Sequence, residues 1–223
     1  MASPKVVLYT AIFGPFDQLK PMTFVDDFDY FCISDRAIDA PKPWKIISVS
    51  RPSHDRSKSA RYFKHKPSIF FSHYDYNIWL DATHFQKSSL LGLIGVQDIC
   101  AMSHYESKTI MDEFESCVRL RKDNPDLMKM QVDSYYRDGF DDSTGVFSTA
   151  CLIRRNTKSV EALQEIWWQQ IDRWSRRDQI SFPYCLWKLK MSCGVIPGFC
   201  RSFYHSDYFS MKPHALNAGI PLL

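Results

Sequence analysis

The apolar positions of the chain fall into two kinds of pattern. Short continuous runs occupy the first third: Lys5-Val-Val-Leu-Tyr-Thr-Ala-Ile-Phe13, stopped by Gly14-Pro15; Tyr30-Phe-Cys-Ile33, ending at Ser34-Asp35-Arg36; and Trp44-Lys-Ile-Ile-Ser-Val49, before Arg51-Pro52. Each has strand length, strand-favouring residues and turn residues at its end, which predicts buried strands feeding loops. Tyr76-Asn-Ile-Trp-Leu80 repeats the pattern and polar Asp81 ends it. Elsewhere the spacing is helical. From about Ser53 to Lys66, Ala60 and Phe63 lie three apart, and Asp55 or Ser53 can cap the free N–H groups. From Thr157, the positions Val160, Leu163, Trp167, Ile171 and Trp174 advance by threes and fours and define the core face of an amphipathic helix. Ile180–Trp187 reads as a further helix, with Pro183 tolerated in its first turn.

Strands followed by loops and helices predict one α/β domain over residues 1–223 with a mainly parallel central sheet. No compositional break divides it, and it can equally be the N-terminal part of a longer protein. In such sheets ligands bind beyond the carboxyl ends of the strands. That rule directs attention to Thr10-Ala11, Ser34-Asp35-Arg36 and Asp81.

Composition narrows the class. The chain has 223 residues, 45% hydrophobic and 15% aromatic, which excludes a disordered chain. A net charge of +3 is too mild for a general nucleic-acid binder, so a basic patch has to be local. The longest apolar run, Leu90 to Val96, falls far short of the roughly 20 residues that span a bilayer. Pro4 and Lys5 stand where a signal peptide needs apolar residues, so a soluble, cytoplasmic protein is expected. The 7 cysteines include no CxxC pair, which argues against a zinc site or a disulfide framework. Neither GxxxxGK[ST] nor GxGxxG occurs, which disfavours P-loop and dinucleotide-dependent enzymes.

One local patch is basic. Between Arg51 and Lys66, Lys and Arg stand at 51, 56, 58, 61, 64 and 66 against one acid, Asp55. Arg51, Lys58 and Arg61 could hold a diphosphate, Lys as point charge and Arg as a fork matched to phosphate oxygens. A solvated basic face is the plain alternative. Asp81, at the end of an Ile-Trp-Leu run, could hold Mg²⁺ or Mn²⁺ against such a diphosphate, or merely cap a turn. Asp178 could be the N-cap of the helix that follows it or a general base for an acceptor hydroxyl. His104, Glu106 and the pair Asp141-Asp142 are further candidates for acceptor contacts.

Trp79-Leu80-Asp81 resembles a degenerate form of the Asp-x-Asp motif of nucleotide-sugar glycosyltransferases of GT-A fold, with Trp79 in place of the first Asp. The runs Arg61-Tyr-Phe-Lys-His-Lys-Pro67 and Tyr74-Asp-Tyr-Asn-Ile-Trp-Leu-Asp-Ala-Thr83 are similar to glycosyltransferase-like domains of plants and bacteria, and to the N-terminal domain of a chlorella-virus multidomain glycosyltransferase. The likeness extends over Tyr9–Phe16, Phe31–Asp35, Gly145-Val146, Leu152–Asn156 and Arg177–Phe182. It implies a GT-A-like domain, viral or cellular, with a UDP-sugar donor and a glycan or glycoprotein acceptor. In that reading Thr10 and Ala11 line the nucleotide, Asp35 and Arg36 approach the base, and Lys58, Arg61 and Trp79 lie near the phosphates. Lys212-Pro213 would cover the diphosphate, Asp81 and His205 would hold Mn²⁺ or Mg²⁺, and Asp178 would be the base of an inverting transfer. The rival readings are a non-catalytic module that binds a carbohydrate or nucleotide-sugar, and a hydrolase acting on a nucleoside diphosphate.

Overall fold

The computed structural model describes residues 3–15, 17–197 and 206–211. The strands are β1 (Val6–Ile12), β2 (Asp29–Ser34), β3 (Lys45–Ser48), β4 (Tyr76–Leu80), β5 (His84–Gln86), β6 (Ile99–Ser103), β7 (Phe147–Arg155), β8 (Gly194–Val195) and β9 (Phe209–Met211). The helices are α1 (Arg56–His65), α2 (Ser68–Phe71), α3 (Ile110–Arg119), α4 (Pro125–Arg137), α5 (Lys158–Arg173) and α6 (Asp178–Lys188).

Seven strands form one sheet in the order β3-β2-β1-β4-β7-β6-β8, and β5 pairs with β9 in a small second sheet. β1 runs parallel to β2 and β4, β2 to β3, and β6 to β8. β7 is antiparallel to both its neighbours, β4 and β6. The expected α/β class with a mainly parallel sheet is therefore the observed one, with β7 as its reversed strand. The first four strands coincide with the apolar runs to within a residue or two.

The reason is burial on both faces, which makes a strand read as a continuous apolar run. Every residue of β1 and β4 is buried. Val7, Tyr9 and Ala11 face one cluster with Phe63, Trp79, Trp167, Ile171 and Phe182; Val6, Leu8 and Ile12 face another with Tyr30, Cys32, Ile78 and Leu80. The first cluster is the helix side that builds the site.

α1 starts three residues later than its sequence pattern, because Asp55 rather than Ser53 is the cap: its carboxylate accepts the Lys58 N–H at 3.0 Å. α5 is capped by Thr157 and buries Val160, Leu163, Trp167 and Ile171 as expected, whereas Trp174 lies past its end and is only half-buried. α6 differs most. It begins at Asp178, so Pro183 is its sixth residue and not in its first turn. The Trp167 indole of α5 donates to the Asp178 carbonyl at 3.1 Å and its ring stacks on Phe182 at 4.2 Å, which fixes where α6 starts.

Among the described residues, Cys32, Cys100, Cys117, Cys151, Cys185 and Cys193 are free thiols, and no helix is long and apolar enough to cross a membrane.

Candidate active site

β1, β2 and β4 end at a common rim. Asp81 is the first residue beyond β4. Its N–H donates to the Ala150 carbonyl at 2.8 Å, and its carbonyl accepts the His84 N–H at 2.8 Å, so the turn is fixed on both sides. Its carboxylate, 41% exposed, accepts the Trp79 indole N–H at 2.6 Å. Trp79 thus orients the acid that follows it by two residues on the same face of the strand.

Above this rim α1 presents Arg61 and Lys64, three residues apart and on one face. Asp178 opposes them from the first turn of α6. The Lys64 ammonium donates to Asp178 Oδ2 at 2.6 Å, the Thr149 hydroxyl of β7 donates to the same oxygen at 3.0 Å, and Arg61 Nη2 stands 3.4 Å from Oδ1. Lys64 Nζ also lies 3.8 Å from Asp81 Oδ1 and 5.5 Å from the centre of the Trp79 ring. One buried ammonium therefore bridges two aspartates, one buried and one at the surface.

Burial alone would raise the Asp178 carboxyl, but the charges of Arg61 and Lys64 outweigh it and hold the group well below the usual carboxylate range. Such a carboxylate is a weak base, and three donors already occupy its oxygens. Asp178 is not the cap. Arg177 is the N-cap, and Asp178 is the first helical residue. What the contacts describe is a counter-ion that holds two cations in place.

A further buried cation supports the cluster from below. Arg154, wholly buried in β7, donates to the Lys64 carbonyl at 2.6 Å and to the Tyr9 hydroxyl at 2.7 Å, and Tyr9 donates to the Phe63 and Lys64 carbonyls. These bonds satisfy the last turn of α1, the turn that carries Lys64. His65 beside it is kept neutral by burial first and by Lys64 second.

At the β1 and β2 ends, Asp35 accepts the Gly14 N–H at 3.2 Å and pairs with Arg51 at 2.9 Å. Arg36 donates to the Gly14 carbonyl at 2.9 Å and to the Asp17 carbonyl at 3.0 Å. Gly14 has φ +76°, so the backbone there favours glycine, while a Cβ, 2.6 Å from Arg56 Cδ, would only push aside the end of that exposed side chain. A cavity of about 390 Å³ opens beside this loop, lined by Pro15, Gln18, Leu19, Arg36, Ile38 and Asp39 among others. Thr10 and Ala11 lie inside β1, both buried, with the Thr10 hydroxyl unpartnered.

Other sequence candidates are placed elsewhere. Lys58 leaves the rim and is taken by Asp172, whose carboxylate it meets at 2.8 Å and whose carbonyl it meets at 2.9 Å. His104 is buried: its Nδ1 accepts the Ser107 N–H at 2.9 Å, which places the proton on Nε2, 3.3 Å from Glu113. Asp142 accepts the Ile110 N–H and the Tyr136 hydroxyl, and Asp141 is turned onto Ser143, so this pair orders the start of α3. His205 and Lys212-Pro213 lie outside the described residues. Lys64, Thr149 and Arg154 were not singled out from sequence. Lys64 had one signal, its three-residue step from Arg61; Thr149 and Arg154, in the mixed run Phe147–Arg155, had none.

Among the described residues, the groups beside Asp81 Oδ1 are not metal ligands. The groups that face its carboxylate are an indole N–H and an ammonium; neither donates a lone pair, and the ammonium repels a metal ion. Among the described residues no group of three His, Cys, Asp or Glu side chains is placed to share one.

A mostly parallel α/β sheet, with a charged cluster and a cavity at the carboxyl ends of its strands, defines an enzyme-like scaffold for an anionic ligand. Residues 34–200 match the TOD1/MUCI70 glycosyltransferase-like domain. The chain belongs to that family, and the match takes in Asp35, α1, Asp81 and Asp178. No curated protein matches it.

Proposed function

We propose that this chain is a glycosyltransferase of GT-A type that moves a hexose or deoxyhexose from a UDP-sugar to a hydroxyl of a glycan or glycoprotein. The observation that carries the reading is the cationic face of α1, Arg61 and Lys64, held at the rim of β4 within a family of glycosyltransferase-like domains. A departing diphosphate gains negative charge, and fixed cations aimed at it supply the electrostatic stabilisation such steps need.

In this reading the nucleoside lies over the ends of β1 and β2. Arg36 and Asp35 order the Gly14 loop beside the cavity, Thr10 and Ala11 lie in the strand that leads to that loop, and the diphosphate runs toward Arg61 and Trp79. Asp178 acts through the two cations it anchors. A metal at Asp81 and His205 is left out of the proposal because Lys64 already faces Asp81.

The test is a panel of UDP-sugars incubated with the protein and oligosaccharide acceptors, with UDP release and product mass as readouts. Acceptor-dependent UDP release supports the reading. Tight UDP-sugar binding with no turnover on any acceptor would assign a binding module instead, and no binding of any UDP-sugar would overturn the donor class.

A further inference from the structure

We infer that Lys64 is the cation that receives the diphosphate, so that this site binds its anionic ligand without a divalent metal. The inference rests on the proposed nucleotide-sugar reading for the ligand, but its geometry concerns the diphosphate alone.

Three observations point the same way. The first is position: Lys64 Nζ stands 3.8 Å from Asp81 Oδ1, so an ammonium already lies beside the rim acid. The second is charge. Arg61 and Lys64 face Asp178, and Lys64 also Asp81, while Arg154 behind them has no carboxylate among its hydrogen-bond partners, which are the Lys64 carbonyl and the Tyr9 hydroxyl. A buried cluster with an uncompensated positive charge is costly unless an anion completes it. The third is an imbalance of hydrogen bonding. Arg61 Nε, on the cluster itself, is a buried N–H group without an acceptor, and so is Gln179 Nε2 on the residue after Asp178. Unpaired donors call for acceptors, which phosphate oxygens supply and a metal ion does not.

Asp178 then has a definite part. Its 2.6 Å bond fixes the Lys64 ammonium at the rim, and its negative charge competes with the ligand for that cation. Asp81 marks the outer edge, where its half-exposed carboxylate limits how far the anion can slide.

The experiment is calorimetric titration of the full chain with inorganic pyrophosphate, in EDTA and again with Mn²⁺. The expected result is saturable binding in EDTA that Mn²⁺ changes by less than about twofold. Lys64→Met together with Asp178→Asn removes both charges of the buried pair, so the fold is spared an uncompensated ion, and should weaken pyrophosphate by about 10- to 100-fold. Asp178→Asn alone keeps the ammonium and removes a competing anion, so pyrophosphate should bind more tightly than to wild type. Binding that requires Mn²⁺, no pyrophosphate binding under either condition, or an unchanged affinity in the double variant would each overturn the inference. A parallel titration with UDP separates the two readings: pyrophosphate binding in EDTA with no preference for UDP upholds the anion site and sinks the nucleotide donor.

Discussion

Lys64 on α1 and Asp178 on α6 form a 2.6 Å ion pair in which both side chains are almost fully buried, joining two helices 114 residues apart in sequence. Neither charge can be removed alone without stranding the other. Lys64→Met should therefore destabilise the fold by about 3–5 kcal/mol, and adding Asp178→Asn should recover most of that loss. Urea denaturation of the two single variants and the double variant reads the coupling directly. Additive losses would mean that the pair contributes nothing beyond its separate parts.

The same pair sets an acid limit. The folded Asp178 carboxyl lies well below its unfolded value of about 4, because Arg61 and Lys64 outweigh the effect of burial. Its contribution is thus fully present above pH of about 4 and is lost as pH falls below that value toward the folded one. The stability difference between wild type and Asp178→Asn should stay flat from neutral pH down to about 5 and shrink at more acid values. A difference that instead changed between pH 6 and 8 would point to a histidine, not to Asp178.

Much of this was legible in the chain before its fold. Strands buried on both faces announce themselves as apolar runs, so β1, β4 and most of β2 and the rim residues after them could be read directly, while the edge strand β3, with no fully buried residue, was marked only by its Ile46-Ile47 pair. β7 could not be read this way. Its run contains Ser148, Thr149 and Arg154, and only the fold shows Thr149 turned onto Asp178 and Arg154 turned onto the end of α1. Pairing across the sheet interior is a long-range fact, and a polar residue in a strand has no sequence mark that separates core from surface. The same limit explains Lys58 and Lys64. Both stand in one basic helix, and only the packing of α1 on α5 sends Lys58 to Asp172 and turns Lys64 inward.

Gly14 offers a test of the β1–β2 loop. With φ +76° and a would-be Cβ 2.6 Å from Arg56 Cδ, Gly14→Ala carries backbone strain and a contact that the exposed Arg56 side chain relieves by moving aside. A loss of about 1–2 kcal/mol is expected. Arg56→Ala in the same chain should remove that contact and leave the strain, of about 1 kcal/mol, in place. Full recovery in the double variant would show that the positive φ costs nothing.

Thr157→Ala should remove the hydroxyl that accepts the Val160 N–H at the start of α5, at a cost of about 1 kcal/mol, with no change in ligand binding because the α5 residues that touch α1 and Asp178, among them Trp167 and Asp172, lie further along the helix. A binding defect at full stability would mean that the position of α5 tunes the cluster.

Two substitutions at opposite ends of the proposed donor site should give contrasting binding patterns. Arg61 lies beside Asp178 and faces the phosphates in the proposed pose, so Arg61→Ala should weaken UDP while leaving uridine almost unchanged. The loss of a charge-assisted contact is worth roughly 1.5–3 kcal/mol, or about 10- to 100-fold in UDP affinity. Asp35 acts elsewhere. Its carboxylate holds the Gly14 N–H at 3.2 Å and Arg51 at 2.9 Å, so Asp35→Ala loosens the loop beside the cavity at the ends of β1 and β2. Uridine and UDP share whatever contacts that loop makes, and both should weaken by the same factor. Pyrophosphate should be indifferent to Asp35→Ala and sensitive to Arg61→Ala. Titration of the three ligands against the two variants therefore gives a crossed table of outcomes. Equal losses of uridine and UDP in Arg61→Ala would place Arg61 in loop or helix support instead of at the phosphates. Normal uridine binding by Asp35→Ala would remove the β1–β2 loop from the nucleoside site and leave the cavity beside it without a part in donor recognition.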